Sequence, residues 1–186
     1  MNNANKIVGE NPVLVIKKPG DCKIDELDLF EKMVKKGNQV ATNTLRELIE
    51  NAKELGFIYK DNGICVTVGA IKKPFDTYKD RIQENFKQSG MEENKAKSYS
   101  LELGWLYTIE KERRKGHAER LVNSLMKRLS PEDREKVYAT IHEDNVAMNE
   151  FLPKNGFCSI EKTYKSDRED YNIKYFYSCE SAKTES

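Results

Sequence analysis

Apolar and polar positions change period several times along the chain, and each change marks an element. Val13-Leu14-Val15-Ile16, followed by Lys17-Lys18-Pro19-Gly20, predicts a short first strand closed by a turn. Ile24, Leu27, Leu29, Phe30, Met33 and Val34 predict an amphipathic helix ending near Gly37. A second helix is expected from about Ala41 to Leu55, burying Leu45, Leu48, Ile49 and Ala52, with Gly56 as its C-terminal cap. Two β-rich runs, Phe57 to Lys60 and Ile64 to Ile71, flank Asp61-Asn62-Gly63, a strong hairpin signal. From Lys72 to Lys97 the chain turns polar, with a short helix predicted around Tyr78 to Phe86 and a break at Gly90.

Ser98 to Ile109 alternates again. The alternation puts Leu101, Leu103, Trp105 and Tyr107 on one face of a strand, and Glu102, Gly104 and Thr108 on the other. After Glu110-Lys111-Glu112 comes the basic turn Arg113-Arg114-Lys115-Gly116. Ala118, Leu121, Val122, Leu125, Met126 and Leu129 then mark one face of a helix that starts at or just before Gly116. Val137 to Ile141 reads as a strand, and His142-Glu143-Asp144 leads into Asn145, an N-cap. That helix is expected to reach about Leu152, since Pro153 disfavours its continuation and Asn155-Gly156 supplies a turn. Phe157 to Tyr164 and Tyr171 to Tyr177 predict a final hairpin, with a loose tail from Glu180.

A chain of 186 residues without internal repeats reads as one domain with room for a core. Charged residues make up 34% and hydrophobic ones 38%, which gives a heavily charged surface over an ordinary globular interior. The formal net charge of +1 supplies no general attraction to nucleic acid or an anionic membrane, and no apolar run approaches a membrane span. The first residues lack the apolar core of a secretory signal, and Cys22, Cys65, Cys158 and Cys179 show no C-x-x-C spacing. The expectation is a reduced cytoplasmic protein without structural zinc or any other metal.

The chemistry concentrates at the basic turn. A helix opening from a basic, glycine-bearing turn gathers unpaired backbone N–H groups, the positive end of the helix dipole and cationic side chains, which makes an anion site suited to a phosphate. At Gly116 no Cβ stands between amide and oxygen. A lone turn of this kind is more often a solvated helix start, so further features have to decide.

Arg113, Gly116 and Ala118 form R-x-x-G-x-A directly after a strand, and Asn145 and the Gly156-Phe157 pair follow in order. Together they resemble the GNAT N-acetyltransferase superfamily, most closely over Leu101 to Phe157. The resemblance implies an α/β fold with a central mixed, mostly antiparallel sheet of about seven strands flanked by about four helices. It also makes residues 73–97 an insertion between the third and fourth strands, either a solvated excursion or a lid bringing Lys73, Tyr78 or Arg81 to an acceptor pocket.

By the same resemblance acetyl-CoA is the co-substrate, its pantetheine lying along Leu106, Tyr107 and Thr108. Its pyrophosphate is expected on the turn amides of Arg114, Lys115, Gly116, His117, Ala118 and Glu119, with Arg114 and Lys115 as charge partners. Asn145 contacts the cofactor arm, and the His117 side chain is expected at the surface or beside the phosphate. Glu102, fourteen residues before Gly116, stands where several protein-lysine acetyltransferases of the superfamily carry a general base. An amine attacks a thioester only as the free base, so that role is chemically required. A backbone amide near Leu106 would polarise the carbonyl.

Many members carry a tyrosine seven residues after the Asn as general acid, and here that position is Leu152. The implied reaction is transfer of an acetyl group to a primary amine of a small molecule or protein, with neither nucleic acid nor membrane as partner and the oligomeric state open. A non-catalytic acyl-CoA-binding protein of the same fold is the alternative. A nucleotide-binding module is disfavoured, because the turn has neither the multi-glycine pattern nor a Gly-Lys-Ser/Thr ending.

Overall fold

The computed structural model describes residues 12–37, 44–166 and 170–179. Among these residues eight strands form one sheet: β1 Val13–Lys17, β2 Glu54–Tyr59, β3 Cys65–Lys72, β4 Leu101–Thr108, β5 Val137–His142, β6 Phe157–Ser159, β7 Tyr164–Lys165 and β8 Asn172–Ser178. Their order is β1-β2-β3-β4-β5-β8-β6, with β7 also on β8. Every pairing is antiparallel except that of β4 with β5. The helices are α1 Ile24–Lys36, α2 Leu45–Glu50, α3 Asp76–Gln88, α4 Glu93–Ser98, α5 His117–Arg128, the one-turn α6 Pro131–Arg134 and α7 Val146–Lys154. No helix of the described residues is long and apolar enough to cross a membrane.

The β2–β3 hairpin forms where the turn residues demand it. Gly63 takes φ +77°, its N–H donates to the Lys60 carbonyl, and Asn62 Oδ1 accepts from the Ile64 N–H. One face of the sheet is covered by the predicted apolar stripe of α5, with Leu121, Val122 and Leu125 fully buried against Ile58, Val66, Leu101 and Leu103. On the other face α1 and α2 set Phe30, Leu45 and Ile49 against Leu55, Phe57 and Val68. Farther along that face α3 and α4 pack Ile82, Phe86 and Ala96 on Tyr99, Tyr138 and Tyr175.

The structure corrects several expectations. The second helix stops at Glu50, and Leu55 and Gly56 belong to β2. Residues 41–43 of the expected helix, and the tail from Glu180, lie outside the described residues. Gly56 is not a cap. It pairs with Gly69 across β2 and β3, and a Cβ on it would stand 2.6 Å from Leu121 Cδ1, so the glycine pair is a hollow into which α5 lowers one leucine.

Residues 73–97 do not form a solvated excursion. They fold into α3 and most of α4, because their few apolar residues recur at i, i+4: Tyr78, Ile82, Phe86. Phe86 is fully buried, worth roughly 1.5–3 kcal/mol by transfer. The four helices implied by the resemblance are therefore joined by α3, where a short helix is predicted, and by α4 and α6. Helix α7 runs through Pro153 to Lys154 and ends where Gly156 turns left-handed at φ +82°. Cys158 and Cys179 are joined by a disulfide, Cα atoms 5.6 Å apart, against the expectation of reduced thiols. Cys158 faces Tyr177 on β8, so Cys179 two residues on is its diagonal neighbour. Cys22 and Cys65 are free.

Candidate active site

β4 and β5 pair only at Leu101 with Val137 and Glu102 with Tyr138, although β4 continues to Thr108 and β5 to His142. Beyond Glu102 the two strands part, leaving a wedge with unpaired β4 backbone along one wall. A bulge shapes that wall. Trp105 has φ +53°, and the pairing with β3 slips between Val68–Tyr107 and Ala70–Gly104. The extra residue reverses the alternation, so Leu101, Leu103 and Leu106 pack toward α5 while Trp105 and Tyr107 turn toward α1. The expectation of Leu101, Leu103, Trp105 and Tyr107 on one face is thus wrong. Glu102 and Gly104 do share a face, both against Lys72. The Thr108 carbonyl accepts from Arg113 Nε at 3.2 Å, and its hydroxyl meets that of Thr67.

At the far end of β4 the chain makes a 3-10 turn over Glu110–Glu112 and then enters α5 with Gly116 as N-cap. Arg114 and Gly116 are both left-handed, at φ +63° and +77°, and no side chain caps the helix. A Cβ on Gly116 would meet nothing within 4 Å, so the space above the turn is open and the glycine is set by its dihedral. The N–H groups of His117, Ala118 and Glu119 have no intrahelical acceptor, and successive amides in such a turn form an anion-binding concavity.

The side chains differ from expectation. The His117 ring is buried, with Nε2 3.4 Å from Glu112 Oε2, rather than at the surface. Lys115 is turned back onto Glu112 at 2.9 Å, and Arg114 beside it is exposed. The hydrogen bond from Lys115, joined by His117 and the charge of Lys60, holds the Glu112 carboxyl down to about 2 against its desolvation.

Glu102 lies at the apex of the wedge and is 4% exposed. Its Oε1 accepts from Thr140 Oγ1 of β5 at 2.8 Å, and its Oε2 meets Lys72 Nζ of β3 at 2.7 Å. Tyr78 Oη of α3 stands 3.3 Å from Thr140 Oγ1, and the Arg81 guanidinium lies over the Tyr78 ring. Burial, with the Glu102 charge behind it, pushes the hydroxyls of Tyr78 and Tyr138 well above the usual phenol range. Tyr138 Oη is buried without a hydrogen-bond partner among the described residues.

Of the three residues named for a lid, Tyr78 reaches the cluster, Arg81 stands over it, and Lys73 is exposed. Lys72 and Thr140 were missed. No local pattern ties either to Glu102: Lys72 ends β3, with α3 and α4 between it and β4, and Thr140 sits on a strand beyond α5 and α6. Only the register Lys72–Glu102 and the short β4–β5 pairing bring the three together. Asn145 caps α7, its Oδ1 accepting from the Met148 N–H at 3.2 Å, and Leu152 is fully buried in the core under α7.

Solved structures share this fold. An acyl-CoA N-acyltransferase from Pseudomonas aeruginosa is similar over 91% of this chain and 100% of its own, with TM-score 0.61 and 12% identity. A GNAT-family acetyltransferase from Bacillus cereus is similar over 89% of this chain and 96% of its own, with TM-score 0.56 and 18% identity. The fold is the GNAT fold. A further GNAT-fold neighbour, a putative acetyltransferase from Salmonella typhimurium solved with its cofactor acetyl-CoA, covers 92% of this chain and 96% of its own, with TM-score 0.55 and 14% identity. Residues 86–166 match the family model described as FR47-like protein. No curated protein matches the chain in sequence. The fold expected from Arg113, Gly116 and Ala118 together with Asn145 and Gly156-Phe157 is therefore the fold found.

Proposed function

We propose that the protein is an acetyl-CoA-dependent N-acetyltransferase acting on a primary amine of a small molecule or a protein. The observation that carries this is the wedge between β4 and β5, with an uncapped, open anion turn at one end and a buried carboxylate at the other. The amides from Arg114 to Glu119 and the Arg114 side chain would hold the pyrophosphate. The unpaired edge at Leu106, Tyr107 and Thr108 would take the pantetheine amides, with Asn145 on the opposite wall. The Salmonella typhimurium neighbour solved with acetyl-CoA supports acyl-CoA as the co-substrate by likeness of fold.

Acetyl-CoA supplies the activated acyl group, and the chain's part is to place it, take a proton and leave the thiolate free to depart. Glu102 accepts the proton from the amine; an ionised carboxylate offers about four lone-pair sites, of which Thr140 and Lys72 occupy one each. The backbone N–H of Leu106 or its neighbour at the bulge would polarise the thioester carbonyl. Leu152 donates nothing, so a thiol of pKa about 8.5 leaves without a dedicated acid.

The test is release of CoA thiol from acetyl-CoA against a panel of amines: an α-amino acid, a polyamine, an aminoglycoside and a lysine peptide. Sustained release that depends on one class of amine supports the proposal. Tight acetyl-CoA binding without multiple turnover on any amine would favour the alternative, a non-catalytic acyl-CoA-binding protein, to which the apolar Leu152 lends support.

A further inference from the structure

We infer that Lys72 is itself an acetyl acceptor, modified by its own chain on Nζ. The inference rests on the acyl-CoA reading above and adds an amine to it. Three distances locate this ammonium. It is 2.7 Å from Glu102 Oε2, 3.0 Å from where a Cβ on Gly104 would stand, and 5.2 Å from the centroid of the Trp105 ring. It therefore lies flat on β4 between the proposed base and the bulge, where the strand begins to part from β5.

Gly104 is what permits this. A Cβ there would be 2.7 Å from Lys72 Cε, so any larger residue lifts the lysine off the strand. The side chain is 19% exposed, and an incoming amine has to reach the same carboxylate from the same face. Lys72 thus occupies, as part of the chain, the position the acceptor amine needs. Effective concentration favours it over any free amine, because the reacting groups are already held together.

The step balances without another reactant. Glu102 takes one proton from the ammonium, and the freed nitrogen lone pair attacks the thioester carbonyl carbon. An N–C bond forms and the C–S bond breaks as the adduct collapses. The second proton lost from nitrogen neutralises the leaving thiolate, and the first passes from Glu102 to solvent. The products are an uncharged Nζ-acetyl-lysine and one free thiol per chain. Acetylation removes the cation from Glu102, so the modified chain presents to an external amine a base that keeps its Thr140 hydrogen bond but has lost its ion pair with Lys72.

The experiment uses the full chain and isotope-labelled acetyl-CoA, with no added amine. Label at each lysine is followed by peptide mass spectrometry and thiol release in parallel, while calorimetry records CoA binding. The expected result is a single-equivalent burst of thiol, with Lys72 labelled roughly 10²-fold faster than exposed Lys73 at a rate independent of protein dilution. Glu102→Gln should slow that labelling by about 10² or more. Lys72→Arg, which keeps the charge and the ion pair, should abolish the burst while CoA binding persists.

Binding of CoA with Lys72 labelled no faster than Lys73 overturns the inference and leaves the acyl-CoA reading intact. So does labelling that rises with protein concentration or survives Glu102→Gln. Failure to bind CoA at all overturns both.

Discussion

The two ends of the wedge are built from different materials. The anion turn is backbone: left-handed Arg114 and Gly116, uncapped amides and open space above them. The Glu102 end is side chain: a carboxylate, an ammonium, two hydroxyls and a guanidinium drawn from β3, β4, β5 and α3. The first end is ready for a ligand, whereas the second is already satisfied by its own groups. On the proposed reading, the difference teaches that donor binding requires little rearrangement, while an acceptor amine shares Glu102 with the two contacts it already holds.

The sharpest way to break the comparison is Gly116→Glu. It places a carboxylate over the anion turn and forces a side chain into φ +77°, a strain of about 1–2 kcal/mol. CoA binding should be lost in calorimetry while circular dichroism and thermal unfolding still report a folded chain. Unchanged affinity would remove the donor end from the account.

Next is Glu102→Gln, which keeps shape and removes basicity. Turnover should fall by about 10²–10⁴ at neutral pH and recover in part as pH rises, with CoA affinity unchanged. Near wild-type turnover with an unaltered pH profile would reduce Glu102 to an ion-pair residue of the sheet.

A smaller effect probes the turn's own electrostatics. Glu112 titrates at about 2 in the folded chain against an ordinary value of 4.5, so its contribution is complete above pH 4.5 and is lost as pH falls toward 2. The difference in stability between the wild type and Glu112→Gln should therefore shrink through that window. A difference that stays constant from pH 6 to pH 2 would contradict the Lys115 and His117 pairing.

The smallest effects belong to the tyrosines. Tyr99→Phe, Tyr107→Phe and Tyr138→Phe should each lower kcat by less than about tenfold, roughly 1.4 kcal/mol of barrier. Tyr99 and Tyr138 are wholly buried among the α3 aromatics and Tyr107 packs toward α1, so all three serve as packing. A loss of about 10² from any one of them, with folding and CoA affinity intact, would reveal a relocated general acid.

What could be read in the sequence follows the same division. The Asp61-Asn62-Gly63 hairpin, the start of α5 at Gly116 and the Asn145 cap are local decisions, each written in a few adjacent residues. Gly56 misled because a glycine after a helical stripe looks the same whether it ends a helix or receives Leu121 from an element far along the chain. The alternation from Leu101 to Tyr107 failed for a related reason. Nothing in the residue types signals that Trp105 takes a left-handed conformation and reverses every later side chain. Lys72 and Thr140 were invisible because only the register of β3 and β5 against β4 brings them to Glu102.

The glycine pair beneath Leu121 has a consequence for length. Leu121 lies one turn into α5, so the depth of the Gly56–Gly69 hollow fixes how far the first amides of that helix stand from β4. A bound arm that must touch the turn at one end and deliver its thioester near Glu102 at the other is measured against that fixed span. The hollow thus acts as a gauge: a methyl at Gly56 would press on the tip of Leu121 while leaving the residues of both ends unchanged.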